Sequence, residues 1–407
     1  MTDAPPFALA ELYPVPGIRC ATVEAGVRYQ NRRDLVLFEL AEGTHTAAVF
    51  TRNAFCAAPV QLARRHIESD QPRFWLINTG NANAGTGAHG LSQCRHTCNA
   101  LAQAASVPEW TILPFSTGVI GEALPAERIA AAIPAALQGL KTDGWQDAAW
   151  GIMTSDSKPK GVSFQIEVAG TRYTFTGIAK GAGMIRPNMA TMLAFVATDM
   201  AVEPSLLQAI LHEAVEKSFN RITVDGDTST NDSCVLAATG AAGNALVSER
   251  HSELAVALAT AVDRVMLDLA QQIVRDGEGA TKFITVQVED GASIEECCEA
   301  AYTVAHSPLV KTAFFASDPN WGRILAALGR SGIADLDVNK VEVWLNDVRV
   351  CWLGGLDPSY QESMGAEVMK QKDILVRLVL GRGPYLDRVY TCDFSYDYVK
   401  INAEYRS

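Results

Sequence analysis

Apolar positions along the chain switch between two periods, which predicts a mixed α/β protein. Phe164, Ile166 and Val168 alternate with polar neighbours, as do Tyr173 and Phe175, and Gly170 lies between the two runs. That pattern predicts a hairpin with one face buried, leading straight into a glycine loop at Gly181. Downstream, Pro204 stands where a first-turn proline is tolerated, and Leu207, Ile210, Leu211, Ala214 and Val215 follow at helical spacing. A second helix is predicted from about Ser252, with Leu254, Leu258, Val262, Val265, Leu269 and Ile273 on one stripe and Gly277 as its stop. Beyond Phe283 the texture turns to strands. Ile284, Val286 and Val288 alternate, Asn346-Asp347 reads as a turn between two β-rich runs, and Ile374–Leu380 is a third. A domain boundary is therefore expected near Phe283, with residues 1–282 forming the main α/β region and 283–407 a smaller C-terminal α/β domain.

Length and composition narrow the class of protein. A chain of 407 residues has room for two or three domains, and 48% hydrophobic with 20% charged residues is an ordinary globular balance. The net charge of −12 argues against a nucleic-acid binder, which usually carries a basic face. The first residues, MTDAPPFALAELYPVPG, hold an acidic residue and prolines where a signal peptide needs a basic region and an apolar core. The longest apolar run, Leu254–Val262, falls well short of the ~20 residues of a membrane span. Nine cysteines, an odd number in a long chain, read as reduced thiols, and a cytoplasmic location is expected.

The stretch with the most chemistry is Lys180–Phe195, KGAGMIRPNMATMLAF. Gly181 and Gly183 loosen the backbone, Pro187 blocks a helix, and Ala190 precedes the hydroxyl of Thr191. Such a hydroxyl can attack its own upstream peptide by an N-to-O acyl shift, and hydrolysis of the ester frees an N-terminal threonine. The new α-amine, with an ordinary pKa near ~8, can then serve that hydroxyl as its base. Residue types alone favour the plainer reading of a tight turn before a strand. Other groups that such a nucleophile needs are present. Thr117 and Gly118, in STGVIG, offer a hydroxyl and a close backbone approach for an oxyanion. Lys180 suits a substrate carboxylate, and Glu278, between glycines in DGEGA, suits an ammonium. Asp225–Asp232 (DGDTSTND) begins like a calcium loop but lacks the closing glutamate, so a polar loop shaping the site fits better. Cys94 and Cys98 lack a second ligand pair and read as helix packing, and no metal is expected. Asn78–Gly87 has the glycines of a phosphate loop without its Lys-Ser/Thr, and Asp318–Arg323 reads as a turn and a helix start.

Six blocks in order resemble the ornithine acetyltransferases, the glutamate N-acetyltransferases of arginine biosynthesis. They are Lys180–Phe195, Leu113–Pro125, Ser218–Asp232, Arg275–Ile284, Asp318–Gly329 and Asp397–Ser407, and the similarity covers nearly the whole chain. The resemblance implies self-cleavage between Ala190 and Thr191, with Thr191 as nucleophile and Thr117 and Gly118 as the oxyanion hole. It implies substrate binding by Thr154, Lys180, Thr191, Glu278, Asn402 and Ser407. One departure touches Thr154, because GIMTSDSKPK lacks the second threonine common in the family. The implied reaction moves acetyl from N2-acetylornithine to glutamate through acetyl-Thr191 in ping-pong fashion. Some family members also accept acetyl-CoA as donor, and no bound cofactor is implied. The implied fold is a layered α/β sandwich with helices outside the sheets. Mature chains 1–190 and 191–407 would stay together and pair into a heterotetramer. A self-processing amidase or aminopeptidase, in which water resolves the acyl-enzyme, is the alternative class.

Overall fold

The computed structural model describes residues 9–186 and 192–404; Ala190, Thr191 and Ser407 lie outside the described residues. The chain divides into two compact units. The first comprises Met1–Gly181, Pro187–Asn220 and Thr228–Ile273, and the second Ala182–Arg186, Arg221–Asp227 and Val274–Ser407.

Among the described residues, nine strands of the first unit form two sheets: β1 (Ile18–Val23), β2 (Leu35–Leu40), β3 (His45–Phe50), β4 (Phe74–Asn81), β5 (Ile112–Val119), β6 (Lys160–Val168), β7 (Thr171–Lys180), β8 (Leu193–Thr198) and β9 (Ser233–Ala238). The orders are β1-β2-β4-β5 and β3-β9-β8-β7-β6. Alternation along the strands sorts their side chains into layers. Val36, Phe38, Trp75, Ile77, Leu113 and Phe115 meet Ile178, Leu193, Phe195 and Val235 between the sheets. Leu35, Leu37, Phe74, Leu76 and Ile112 point the other way, onto Leu62, Cys98, Leu101, Ile129 and Ile133 of the covering helices. Both faces are thus buried, which explains why β2 and β8 read as near-continuous apolar runs. At the centre, the Phe195 ring lies 5.7 Å from Phe38, 5.7 Å from Trp75 and 5.1 Å from Phe115. Truncating so enclosed a ring typically costs ~3–5 kcal/mol. The first unit is the layered α/β sandwich that the resemblance implied.

The predicted hairpin forms from β6 and β7, and its central residues Ala169 (φ 50°) and Gly170 (φ 76°) both take the positive φ that a two-residue turn needs. Helix Pro204–Lys217 starts at its proline, with the Glu203 side chain accepting from Leu206 N, and buries the predicted face. The second helix spans Glu253–Arg275; Leu258, Val262, Val265, Leu269 and Ile273 are buried along it, whereas Leu254 is half-buried.

The second unit holds β10 (Phe283–Gly291), β11 (Glu342–Leu345), β12 (Val348–Trp352), β13 (Gly355–Leu356), β14 (Asp373–Val379) and β15 (Tyr385–Cys392), in the order β13-β12-β11-β14-β10-β15. Ile284, Val286 and Val288 turn one face of this sheet onto its helices, joined by Val376, Leu378 and Val389. Asn346, at φ 49°, makes the predicted turn between β11 and β12.

Candidate active site

In the first unit the site forms at the end of β5. This strand pairs in parallel with β4, Thr117 opposite Thr79 and Gly118 opposite Gly80. Gly118 has φ +136°, and a Cβ there would lie 2.3 Å from Gly80 C and 2.5 Å from Asn81 N. Only glycine fits both the dihedral and the space. The residue before Thr117 is fixed from two sides. Ser116 Oγ donates to Asn78 Oδ1 at 2.6 Å, and Asn231 Nδ2 donates to Ser116 O at 2.9 Å and to Ala82 O at 2.5 Å. Lys180, last residue of β7, donates through Nζ to Thr117 Oγ1 at 3.1 Å. Sequence reasoning aimed this ammonium at a substrate carboxylate; in the structure it donates to the hydroxyl of the expected oxyanion hole.

Two buried carboxyl groups feel the charge of Lys180; sequence reasoning gave Asp156 no role and Asp232 only a place in a polar loop. Asp156 Oδ1 accepts from Lys160 Nζ at 2.5 Å and from Gly181 N at 2.7 Å, and its Oδ2 accepts from Thr154 N at 2.9 Å. Burial would raise this carboxyl, but the charges of Lys160 and Lys180 and the hydrogen bonds from Lys160 and Thr154 outweigh it. They hold Asp156 far below the usual carboxylate range. Asp232 is its opposite. It is 2% exposed, and its Oδ2 has no hydrogen-bond partner among the described residues. Burial pushes its carboxyl well above the usual range, with a Ser229 hydrogen bond and the Lys180 charge acting against that. Thr154 is therefore placed by its own N–H on Asp156, two residues on, within the loop where the sequence departs from the family pattern.

In the second unit Glu278 is 6% exposed; its N–H donates to Ala182 O at 2.9 Å, and its Oε2 accepts from Asn402 Nδ2 at 2.9 Å. The residues on either side of Gly183 are held as well. Asp225 accepts from Met184 N at 2.6 Å and Ile185 N at 2.9 Å. Burial raises the Asp225 carboxyl, opposed by these backbone donors and by Asp227 N–H. Thr223 Oγ1 donates to Ile185 O at 2.9 Å and meets His306 Nε2 at 3.0 Å.

The predicted residues thus group by unit: Thr117, Gly118, Thr154 and Lys180 in the first, Glu278 and Asn402 in the second. Of the remaining motifs, Asp225–Asp232 works as polar scaffolding, since Asp225 holds 184–185 and Asn231 holds Ser116. Cys94 and Cys98 are buried on helix Gly87–Ala105. Asn78–Asn81 belongs to β4, so only the remainder of that glycine stretch is loop or helix start. Asn320 caps helix Trp321–Leu328 by accepting from Arg323 N. Among the described residues no cluster of three or more His, Cys, Asp or Glu is placed to hold a metal, and no helix is long and apolar enough to cross a membrane.

The model of the ArgJ family matches residues 19–407. The chain is 55% identical over 396 residues to the arginine biosynthesis bifunctional protein ArgJ of Psychrobacter arcticus, covering 97% of each chain. It matches the protein of the same name from Methylococcus capsulatus at 55% over 396 residues, again 97% of each. Among solved structures, the arginine biosynthesis bifunctional protein argJ from Bacillus halodurans aligns at 36% identity with a TM-score of 0.48, over 50% of this chain and 95% of that one.

Proposed function

The chain belongs to the ArgJ family, and from that premise we propose that it is a glutamate N-acetyltransferase of arginine biosynthesis that works through an acetyl-Thr191 ester. The Thr191 hydroxyl first attacks the Ala190 carbonyl, and water then releases chain 1–190 from chain 191–407. The freed α-amine takes the hydroxyl proton as Thr191 attacks N2-acetylornithine, and ornithine leaves with that proton. Glutamate then collects the acetyl group. The base is part of the nucleophile itself, so no bound cofactor or metal is required. Acetyl-CoA is a second donor to the same ester, a reading supported by the word bifunctional in the relatives' names. The two chains stay together, pair into a heterotetramer and act in the cytoplasm.

The observation that supports this most is the 3.1 Å hydrogen bond from Lys180 to Thr117. The ammonium occupies a lone pair of the hydroxyl oxygen and leaves the hydroxyl hydrogen to donate elsewhere. An oxyanion formed beside Gly118 would receive a hydrogen bond strengthened by the charge behind it. Glu278 and Asn402 would read the amino-acid part of the substrate.

Denaturing mass spectrometry of purified protein should show two chains, the second beginning at Thr191. N2-acetylornithine alone should then add one acetyl group to that chain, and glutamate should remove it. Initial-rate plots should be parallel. A single full-length mass in active protein would end the proposal, and release of acetate by water with no acceptor would move the chain to the amidase class.

A further inference from the structure

Of the two buried carboxyls that feel the Lys180 charge, Asp156 is the one surrounded by donors among the described residues. Asp156 takes three hydrogen bonds, one of them within a buried ion pair with Lys160 whose side chains are both at most 1% exposed. Asp232 leaves an oxygen without a partner among the described residues. An isolated ionised carboxylate is strongly disfavoured in such a place. We propose that Asp156 is a positioning residue for the acetyl transfer: it supplies the counter-charge that holds Lys180 on the Thr117 hydroxyl, and it anchors the Gly181 peptide that follows. It acts through those two groups without touching substrate.

The arrangement explains a feature that packing alone does not. Gly181 has φ +148° and its N–H ends on Asp156 Oδ1, so one carboxylate oxygen sets both the ion pair and the turn directly after Lys180. Thr154, on the opposite oxygen, is tied to the same anchor. Lys160 offsets the carboxylate's burial. Asp156 is the carboxylate that donors hold beside Lys180, whereas Asp232 Oδ2 has no hydrogen-bond partner among the described residues.

The inference rests on the proposed function only for its kinetic arm. Lys160→Met keeps the Asp156 charge, which retains the Gly181 and Thr154 N–H groups as partners and the Lys180 charge nearby; Asp156→Asn with Lys160→Met removes both members of the buried pair. If Asp156 acts through Lys180, the double variant should lose at least tenfold more kcat than Lys160→Met, with similar thermal stability. A purely structural pair gives the reverse order, because Lys160→Met alone leaves an imbalanced buried charge that the double variant cures. Equal or better activity in the double variant therefore overturns the proposal. Competitive acetic anhydride labelling of Lys180, read by peptide mass, gives a second answer that needs no turnover. In the double variant Lys180 should become reactive at lower pH than in Lys160→Met, whereas Asp232→Asn should leave the wild-type labelling curve in place. An unmoved curve in the double variant, or a moved one in Asp232→Asn, would assign the counter-charge elsewhere.

Discussion

Gly183 leaves the space that the Glu278 carboxylate fills: a Cβ at Gly183 would lie 2.4 Å from Glu278 Cδ and Oε2 and 2.5 Å from Oε1. The atoms in the way are the end of a flexible side chain, so Gly183→Ala should cost little stability. Its effect should fall on the placement of Glu278 and on the bond from Asn402. If Glu278 reads the substrate, kcat/KM should drop towards the level of Glu278→Gln, a loss of ~2–4 kcal/mol in transition-state binding. Cleavage at Ala190, followed by intact mass, should persist in both variants. Wild-type kinetics in Gly183→Ala would remove Glu278 from the substrate site.

Gly118 is the contrasting case, because its added Cβ would meet backbone. The Gly80 and Asn81 main chain lies 2.3–2.5 Å away and cannot swing aside as a side chain does. Gly118→Ala should therefore destabilise the β4–β5 pairing by on the order of 3 kcal/mol. Surviving folded protein should lose ~100-fold or more in kcat, the usual cost of a spoiled oxyanion donor. Urea melts and initial rates test both halves. A soluble Gly118→Ala protein with normal stability would contradict the geometry.

How much of this was legible in the chain depends on how far each residue's partner lies along it. The β6–β7 hairpin and helix Pro204–Lys217 follow from spacing, proline and glycine within a dozen residues, and both form where the pattern placed them. The six blocks pointed to Thr117, Gly118 and Lys180, yet no local signal showed Lys180 ending on Thr117, 63 positions away. Asp156 was missed for the same reason. In SDSKPK it looks like a solvated acid, and its meaning comes from Gly181, 25 residues on. Asn231 and Asp232 read only as members of a polar loop alongside their acidic neighbours. Their actual environment is buried, and burial is set by the strands on either side.

Asn231 should be among the most sensitive residues outside the reacting groups. Its carboxamide donates to two main-chain carbonyls, Ala82 O and Ser116 O, and its Oδ1 accepts from Thr230 Oγ1 at 2.7 Å. Asn231→Ala should cost roughly 2–4 kcal/mol, since it strands buried acceptors. Asn231→Asp should cost more despite its shape, because it turns an oxygen towards those two carbonyls. Urea melts should rank wild type above Asn231→Ala and Asn231→Asp last. If Asp proved milder than Ala, the assigned direction of the amide would be wrong.

His306 gives the fold a defined response to acid. The Thr223 hydroxyl spends its proton on Ile185 O, so His306 Nε2 must donate to Thr223 Oγ1. Burial, then the charges of Arg186, Lys311 and Arg330, lower its pKa to about 4. An unfolded histidine titrates near ~6.5, so between those values the unfolded chain binds the extra proton and the folded chain does not. The contribution is fully present above pH 6.5 and is lost as pH falls through about 4. At pH 4.5 the wild type should have lost about 2–3 kcal/mol from this ring alone, relative to pH 7. His306→Gln retains a donor for Thr223 and has nothing to titrate. Urea unfolding at pH 7 and pH 4.5 should therefore show a smaller acid penalty in the variant, with the carboxylate background common to both. If the two proteins lost the same stability, the fold would not resist protonation of His306, and burial and the neighbouring cations would not lower its pKa.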